Sequence, residues 1–156
     1  MRIKNNQAIL NAPFGSILLT FADGDLIKCE LSEAAVEEDL GSFVGHKAVK
    51  ALQSYLKGDI HVLDSWKPSE DGTEFRRRVW KEIAKVRAGD TVTYGQIADS
   101  LDSSPRAVGS ACGDNPLPIF VGCHRVAGKS NLGGFAHSAE NVSIKCWLLK
   151  HEQQNM

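Results

Sequence analysis

Apolar positions in the first third of the chain recur at every second residue. Ile17, Leu19 and Phe21 form one such run, and Ile27, Cys29 and Leu31, with charges between them, form another. Asp23-Gly24 stands between the runs, so the pattern predicts a β-hairpin whose turn tolerates positive φ. From His46 the period lengthens. Val49, Leu52 and Leu56 then share a helical face, and Gly58 is placed to end that helix. Residues 1–66 therefore read as a small α/β unit, and the polar, Pro- and Gly-containing stretch at 67–73 reads as a linker.

The pattern is richer over residues 74–156. Thr73 is a helix cap for an apolar stripe of Phe75, Val79, Ile83 and Val86. Arg76-Arg77-Arg78 lies on the same helix and reads as a solvated face. Thr93–Leu101 predicts a short helix, Asp102-Ser103-Ser104 a tight turn, and Ser104-Pro105 the start of a second helix running to Cys112. Two short helices joined in this way are similar to a helix-turn-helix, with Arg106 where a groove-reading residue would sit. Ile119, Phe120 and Val121 predict a short buried strand. Ile144, Trp147 and Leu148 give the last helix its apolar face.

Composition narrows the class. The 156 residues, 42% hydrophobic and 24% charged, suit a globular protein of one ordinary domain or two small ones. There is no apolar run long enough to cross a membrane, and Met1-Arg-Ile-Lys-Asn-Asn lacks the features of a signal peptide, so a cytoplasmic location and no membrane partner are expected. The four cysteines, at 29, 112, 123 and 146, have no framework spacing and read as reduced thiols. Cys29, His46 and His61 match no metal motif, and neither metal nor cofactor is expected. Residues 1–68 carry seven basic and nine acidic side chains, and residues 69–156 eleven and ten. DNA binding, if present, would rest on local shape and a few placed side chains rather than on bulk charge.

The chemistry concentrates in Asp114–Val126. Cys123-His124 follows the apolar Ile119–Val121 run where the chain must turn. Neighbouring side chains on an extended strand point to opposite faces, so this pair can share a proton only at a turn or helix start. Gly122 supplies backbone freedom there. A thiol needs a base or a positive charge to react at neutral pH, and Glu152 on the last helix could return to orient His124. The residues alone leave open a buried structural thiol, a cysteine hydrolase and a plain helix-turn-helix regulator.

Five motifs occur in order: Thr93-Tyr94-Gly95-Gln96-Ile97-Ala98, Pro105-Arg106-Ala107-Val108-Gly109, Asn115-Pro116, Cys123-His124-Arg125-Val126, and Trp147-Leu148-Leu149-Lys150-His151-Glu152. Together they resemble the O6-alkylguanine–DNA alkyltransferases (methylated-DNA–protein-cysteine methyltransferases) over roughly residues 73–152. The resemblance implies an α/β (α+β) fold, with a ribonuclease H-like N-terminal domain and a C-terminal winged helix-turn-helix domain. It implies single-turnover repair of O6-alkylguanine, and of O4-alkylthymine, in double-stranded DNA approached through the minor groove by a monomer.

The resemblance also implies roles. Cys123 would accept the alkyl group, with His124 acting through a water as its base and Glu152 orienting the imidazole. Tyr94 would donate to the departing guanine, and Arg106 would fill the gap left in the base stack. Asn115 would hold the turn before the active-site segment, and the carbonyls of Cys123 and Val126 would accept from the guanine amine. Arg125, Phe135 and Ser138 would complete the substrate and DNA contacts. The alternative within the same fold is a non-catalytic sensor of alkylated DNA.

The chain departs from the family pattern in two places. Gly122 stands where proline is usual, which loosens the turn carrying Cys123 and suggests that proline there would stiffen it. In the loop Gly133–Ser138, Phe135 fits an aromatic place, while His137 and Ser138 stand where glycines are usual.

Overall fold

The expected hairpin forms two strands of a three-stranded antiparallel sheet in the computed structural model, which describes residues 3–129 and 142–156. Strands β2 (Gly15–Ala22) and β3 (Asp25–Ser32) pair from Ala22↔Asp25 upward. Asp23 and Gly24 between them have φ of 51° and 80°, the left-handed pair that matches strand twist in a two-residue hairpin. A further strand, β1 (Gln7–Ala12), pairs with β2, giving the order β1-β2-β3. The sequence pattern did not mark β1, because Ala8-Ile9-Leu10 is a continuous apolar run rather than an alternation.

Helix α1 (Lys47–Leu56) packs against this sheet. The His46 side chain caps it by accepting from the Ala48 amide, and Ala48, Val49, Leu52 and Tyr55 are buried. They join Ala8, Leu10, Ile17, Leu19, Phe21 and Cys29 in one core. Gly58, with φ of 118°, follows the helix end as expected. Residues 66–73 contain neither helix nor strand.

Helix α2 (Glu74–Ala84) begins at Thr73, whose hydroxyl accepts from the Arg76 amide. Val79, Trp80 and Ile83 are buried, and the Trp80 indole donates to the Ala111 carbonyl at 2.8 Å. Val86, expected on this helix, lies beyond its end. Arg76 pairs with Asp114 at 2.7 Å, so the arginine run is not wholly a solvated face.

The two short helices form as expected. Strand β4 (Val92–Thr93) leads into α3 (Tyr94–Leu101), capped reciprocally by Thr93 and Gln96. Asp102 turns the chain in the left-handed conformation, and Ser104 caps α4 (Pro105–Gly113). Strand β5 (Val126–Ala127) pairs in parallel with β4, and α5 (Val142–Gln154) closes the chain with Ile144 and Leu148 buried. The whole is a mixed α/β fold.

One expected element is absent. Ile119–Val121 is buried, but it is not a strand. Ile119 has φ of 73°, and the segment holds only an isolated bridge between Pro118 and Val121. Pro116 and Pro118 have no amide proton to give a ladder, so the chain doubles back, with the Val121 amide donating to the Leu117 carbonyl at 2.9 Å. A β-branched residue at positive φ is strained, and complete burial of Ile119 holds it there.

Candidate active site

The doubled-back segment presents Cys123 at the start of a single 3-10 turn, Cys123–Arg125. Asn115 ties the two ends of the segment together. Its Oδ1 accepts from the Leu117 amide at 3.1 Å, and its Nδ2 donates to the Val121 carbonyl at 3.1 Å and to Cys123 Sγ at 3.4 Å. The expected turn-holding role of Asn115 thus corresponds to a specific set of contacts, one of them on the sulfur itself. The edge of β3 braces the same segment, since the Cys29 amide donates to the Pro116 carbonyl at 2.8 Å.

Cys123 is 3% exposed, and burial pushes its thiol up to about 11. The Asn115 hydrogen bond and the charges of Lys145 and Arg125 hold it back from rising further. At neutral pH the sulfur is therefore a thiol, and its reaction as a nucleophile requires a base.

His124 supplies a candidate. It is fully buried, and its Nε2 lies 2.7 Å from Glu152 Oε2. A carboxylate only accepts, so Nε2 carries the proton and Nδ1 the lone pair of the neutral ring. Burial lowers the imidazole's affinity for a second proton and outweighs the pull of Glu152. Burial would also raise the Glu152 carboxyl, but the hydrogen bonds from His124 and Arg125 and the Arg125 charge hold it well below the usual carboxylate range.

Arg125, expected among the substrate and DNA contacts, is instead directed inward. It is 3% exposed, and its Nε and Nη2 grip the two oxygens of Glu152 at 2.9 Å each. Its Nη1 donates to the Val86 carbonyl at 2.8 Å. A buried carboxylate of this kind is stable only when paired and fully hydrogen-bonded, and Arg125 supplies a bidentate partner. Gly122 leaves room for it, because a Cβ at that position would lie 2.6 Å from Arg125 Nη1.

Tyr94 opens α3, half-buried, with its hydroxyl pushed up to about 12 mainly by burial and also by the neighbouring thiols Cys112 and Cys123. It therefore stays protonated and able to donate. A cleft of about 390 Å³ lined by Thr93, Tyr94, Gly95, Pro105 and Lys129 opens beside it. Arg106 is exposed in the first turn of α4, two residues past Ser104. The Val126 carbonyl accepts from Lys145 Nζ at 2.6 Å, which leaves a second lone pair on that oxygen. Phe135, His137 and Ser138 lie outside the described residues.

Three contributors were not foreseen. Tyr55 donates its hydroxyl to Glu152 Oε2 at 2.6 Å, and Asp64 lies 3.9 Å from Arg125 Nη1. Lys145 is buried, with its ammonium 5.7 Å from the Tyr94 ring centroid and close enough to favour a Cys123 thiolate. A tyrosine on the inner face of a predicted helix signals that its hydroxyl must find a partner, although not which one. No periodicity marks Lys145. Cys29 is buried in the sheet core, His46 caps α1, and His61 pairs with Asp64 at 2.6 Å, so these three side chains do not converge.

A buried thiol, held by an amide and set beside a histidine oriented by a carboxylate, defines a protein built for nucleophilic chemistry at cysteine. Residues 74–154 match the DNA-binding domain of 6-O-methylguanine DNA methyltransferase. The chain is 37% identical over 131 residues to the methylated-DNA–protein-cysteine methyltransferase of Metallosphaera sedula, covering 83% of each protein. Its fold is similar to that of the Mycobacterium tuberculosis O6-methylguanine methyltransferase, with a TM-score of 0.76, 31% identity, and coverage of 97% of this chain and 94% of the other. The crystal structure of that organism's OGT in complex with DNA aligns with a TM-score of 0.72 at 31% identity, covering 94% of this chain and 92% of the other. The chain belongs to the methylated-DNA–protein-cysteine methyltransferase family.

Proposed function

We propose that the acceptor in this family member is Cys123, and that the residues around it divide the work of one irreversible transfer. The protein is a DNA-repair methyltransferase that moves an alkyl group from O6-alkylguanine in DNA to its own cysteine. The observation that carries the assignment is the continuous contact from Asn115 to Cys123 Sγ, with the adjacent His124 fixed on Glu152.

In this reading His124 Nδ1 takes the thiol proton through a water. The thiolate sulfur then bonds to the alkyl carbon as the carbon–O6 bond breaks, and the electron pair passes into guanine. Tyr94 donates to the ring as that charge develops, which makes guanine an adequate leaving group. The thioether is too stable to reverse, so each molecule acts once. O4-alkylthymine presents the same kind of oxygen-bound alkyl group and is a second substrate.

The base must leave the stack before in-line attack, and Arg106, exposed at the start of α4, fills the space. The carbonyls of Cys123 and Val126 receive the guanine amine, and Phe135 and Ser138, outside the described residues, are assigned to substrate contact by resemblance alone. Approach is through the minor groove, by a monomer, which suits a chain of net charge −1. The α3–α4 pair serves as the helix-turn-helix of a winged domain beginning at residue 74. Residues 1–66, a sheet backed by a helix, form a ribonuclease H-like domain, joined to it by the linker at 67–73. Among the described residues no helix is long and apolar enough to cross a membrane, and the proposed site of action is cytoplasmic DNA. The test is Cys123→Ser, which should lose methyl transfer from O6-methylguanine DNA and keep DNA binding. Transfer near the parent rate would overturn the assignment.

A further inference from the structure

The Glu152 carboxylate is where the first sixty residues meet the catalytic turn. Its Oε2 accepts from three donors: Tyr55 Oη at 2.6 Å, His124 Nε2 at 2.7 Å and Arg125 Nη2 at 2.9 Å. Its Oε1 accepts from Arg125 Nε at 2.9 Å and the Gly89 amide at 3.4 Å. Tyr55 is held in place from two sides. Its ring is fully buried in the α1 face, and its carbonyl lies 2.6 Å from His151 Nε2 on α5. One link further out, Asp64 faces Arg125 Nη1 and is itself fixed by the Ala88 amide at 3.1 Å and His61 at 2.6 Å.

We propose that Tyr55, and Asp64 behind it, are positioning residues for alkyl transfer: acting through Glu152 and Arg125, they set the tautomer and basicity of His124. This is the contribution of the N-terminal α/β unit to the reaction, and it rests on the reading of His124 as the base for Cys123.

The physical reason is competition for one carboxylate oxygen. Every donor on Oε2 draws down the negative charge available to the imidazole. Removing the Tyr55 hydroxyl leaves that charge to His124 and Arg125, so the doubly protonated ring is better stabilised. The ionisable groups facing this point are Glu152 and Lys145 from α5, Cys123 and Arg125 from the 3-10 turn, Tyr55 from α1, and Asp64 through Arg125. Arg125 and Lys145 oppose a proton on His124, and both remain in the variant.

Transfer needs the neutral ring, so the single-turnover rate falls on the acid side as His124 is protonated. Tyr55→Phe should move that acid midpoint upward by about half a pH unit or more, a roughly three-fold loss at a fixed pH on the limb. Asp64→Asn should move it downward, because Arg125 then gives its charge more fully to Glu152. The shifts should be equal on an O6-methylguanine duplex and on free O6-benzylguanine, since neither residue is placed to touch DNA. Nitrogen-15 NMR titration of the His124 ring, without substrate, should show the same displacement. A merely structural role would lower the melting temperature and leave midpoint and ring titration unmoved, and that result overturns the inference. A parent that transfers methyl groups with no acid limb would instead remove His124 as the base, while the NMR titration would still decide whether Tyr55 tunes the ring.

Discussion

A Cβ added to Gly122 would stand 2.6 Å from Arg125 Nη1, 2.7 Å from its Cζ and 2.9 Å from its Nε. The guanidinium cannot simply swing away, because Glu152 and the Val86 carbonyl hold it with three hydrogen bonds. This reverses what the glycine suggests in the sequence. The φ of −72° at Gly122 would suit proline, but the ring carbons would meet Arg125. Gly122→Pro and Gly122→Ala should therefore lower stability, by about 1–3 kcal/mol for overpacking of this kind. Methyl transfer should slow with it, because Arg125 orients Glu152. A thermal melt beside a single-turnover rate checks both, and a proline variant that melts higher would show that the guanidinium relocates without cost.

Glu152→Gln should be among the most damaging substitutions in the chain. It removes the bidentate charge partner of a buried arginine and leaves one acceptor oxygen where His124, Tyr55 and Arg125 share two. Breaking one side of a buried pair typically costs about 3–5 kcal/mol. The variant should unfold at clearly lower denaturant with an unchanged slope, and the stable fraction should transfer slowly. A midpoint within error of the parent would mean that Arg125 finds another partner.

Alkaline pH should unfold the protein early. Burial raises the thiols of Cys29, Cys112 and Cys123 and the hydroxyls of Tyr55 and Tyr94 above their ordinary values. As pH rises past those ordinary values, the unfolded chain has released protons that the folded chain still holds, so stability falls with pH. Lys145, lowered by burial, acts in the opposite sense, as one group against five. Melting temperature should decline from about pH 9 upward, where unperturbed thiols ionise. A flat profile through this range would contradict the burial of these groups.

Arg106→Ala should separate flipping from chemistry. Only duplex DNA needs a side chain in the vacated stack, so the variant should lose far more on O6-methylguanine duplex than on free O6-benzylguanine. Equal losses on both substrates would remove Arg106 from the flipping step.

Elements fixed by local chemistry were legible in the sequence. The Asp23-Gly24 turn, the Thr73 and Ser104 caps and the Gly58 terminus each follow from one or two residues with a strong backbone preference. The contact of His124 with Glu152 was readable from the residues only as one possibility for the last helix, and the resemblance made it an expectation, since 28 residues separate the partners. What stayed hidden depends on packing between distant segments. Arg125 reads as a surface cation until the space over Gly122 and the position of Glu152 are known, and it then becomes an internal clamp. Tyr55 reads as one more apolar residue on a helix face, because its partner lies 97 positions away. Ile119–Val121 reads as a strand from side chains alone, while Pro116 and Pro118 withhold the amide protons that a strand would need.

The most direct test of the account is the mass of the protein after incubation with duplex DNA carrying one O6-methylguanine. Peptide mapping should find a single methyl group in place of the thiol hydrogen of Cys123, in an amount that never exceeds one per protein molecule. A methyl group on Cys29, Cys112 or Cys146, or methyl loss from DNA with the protein mass unchanged, would contradict it.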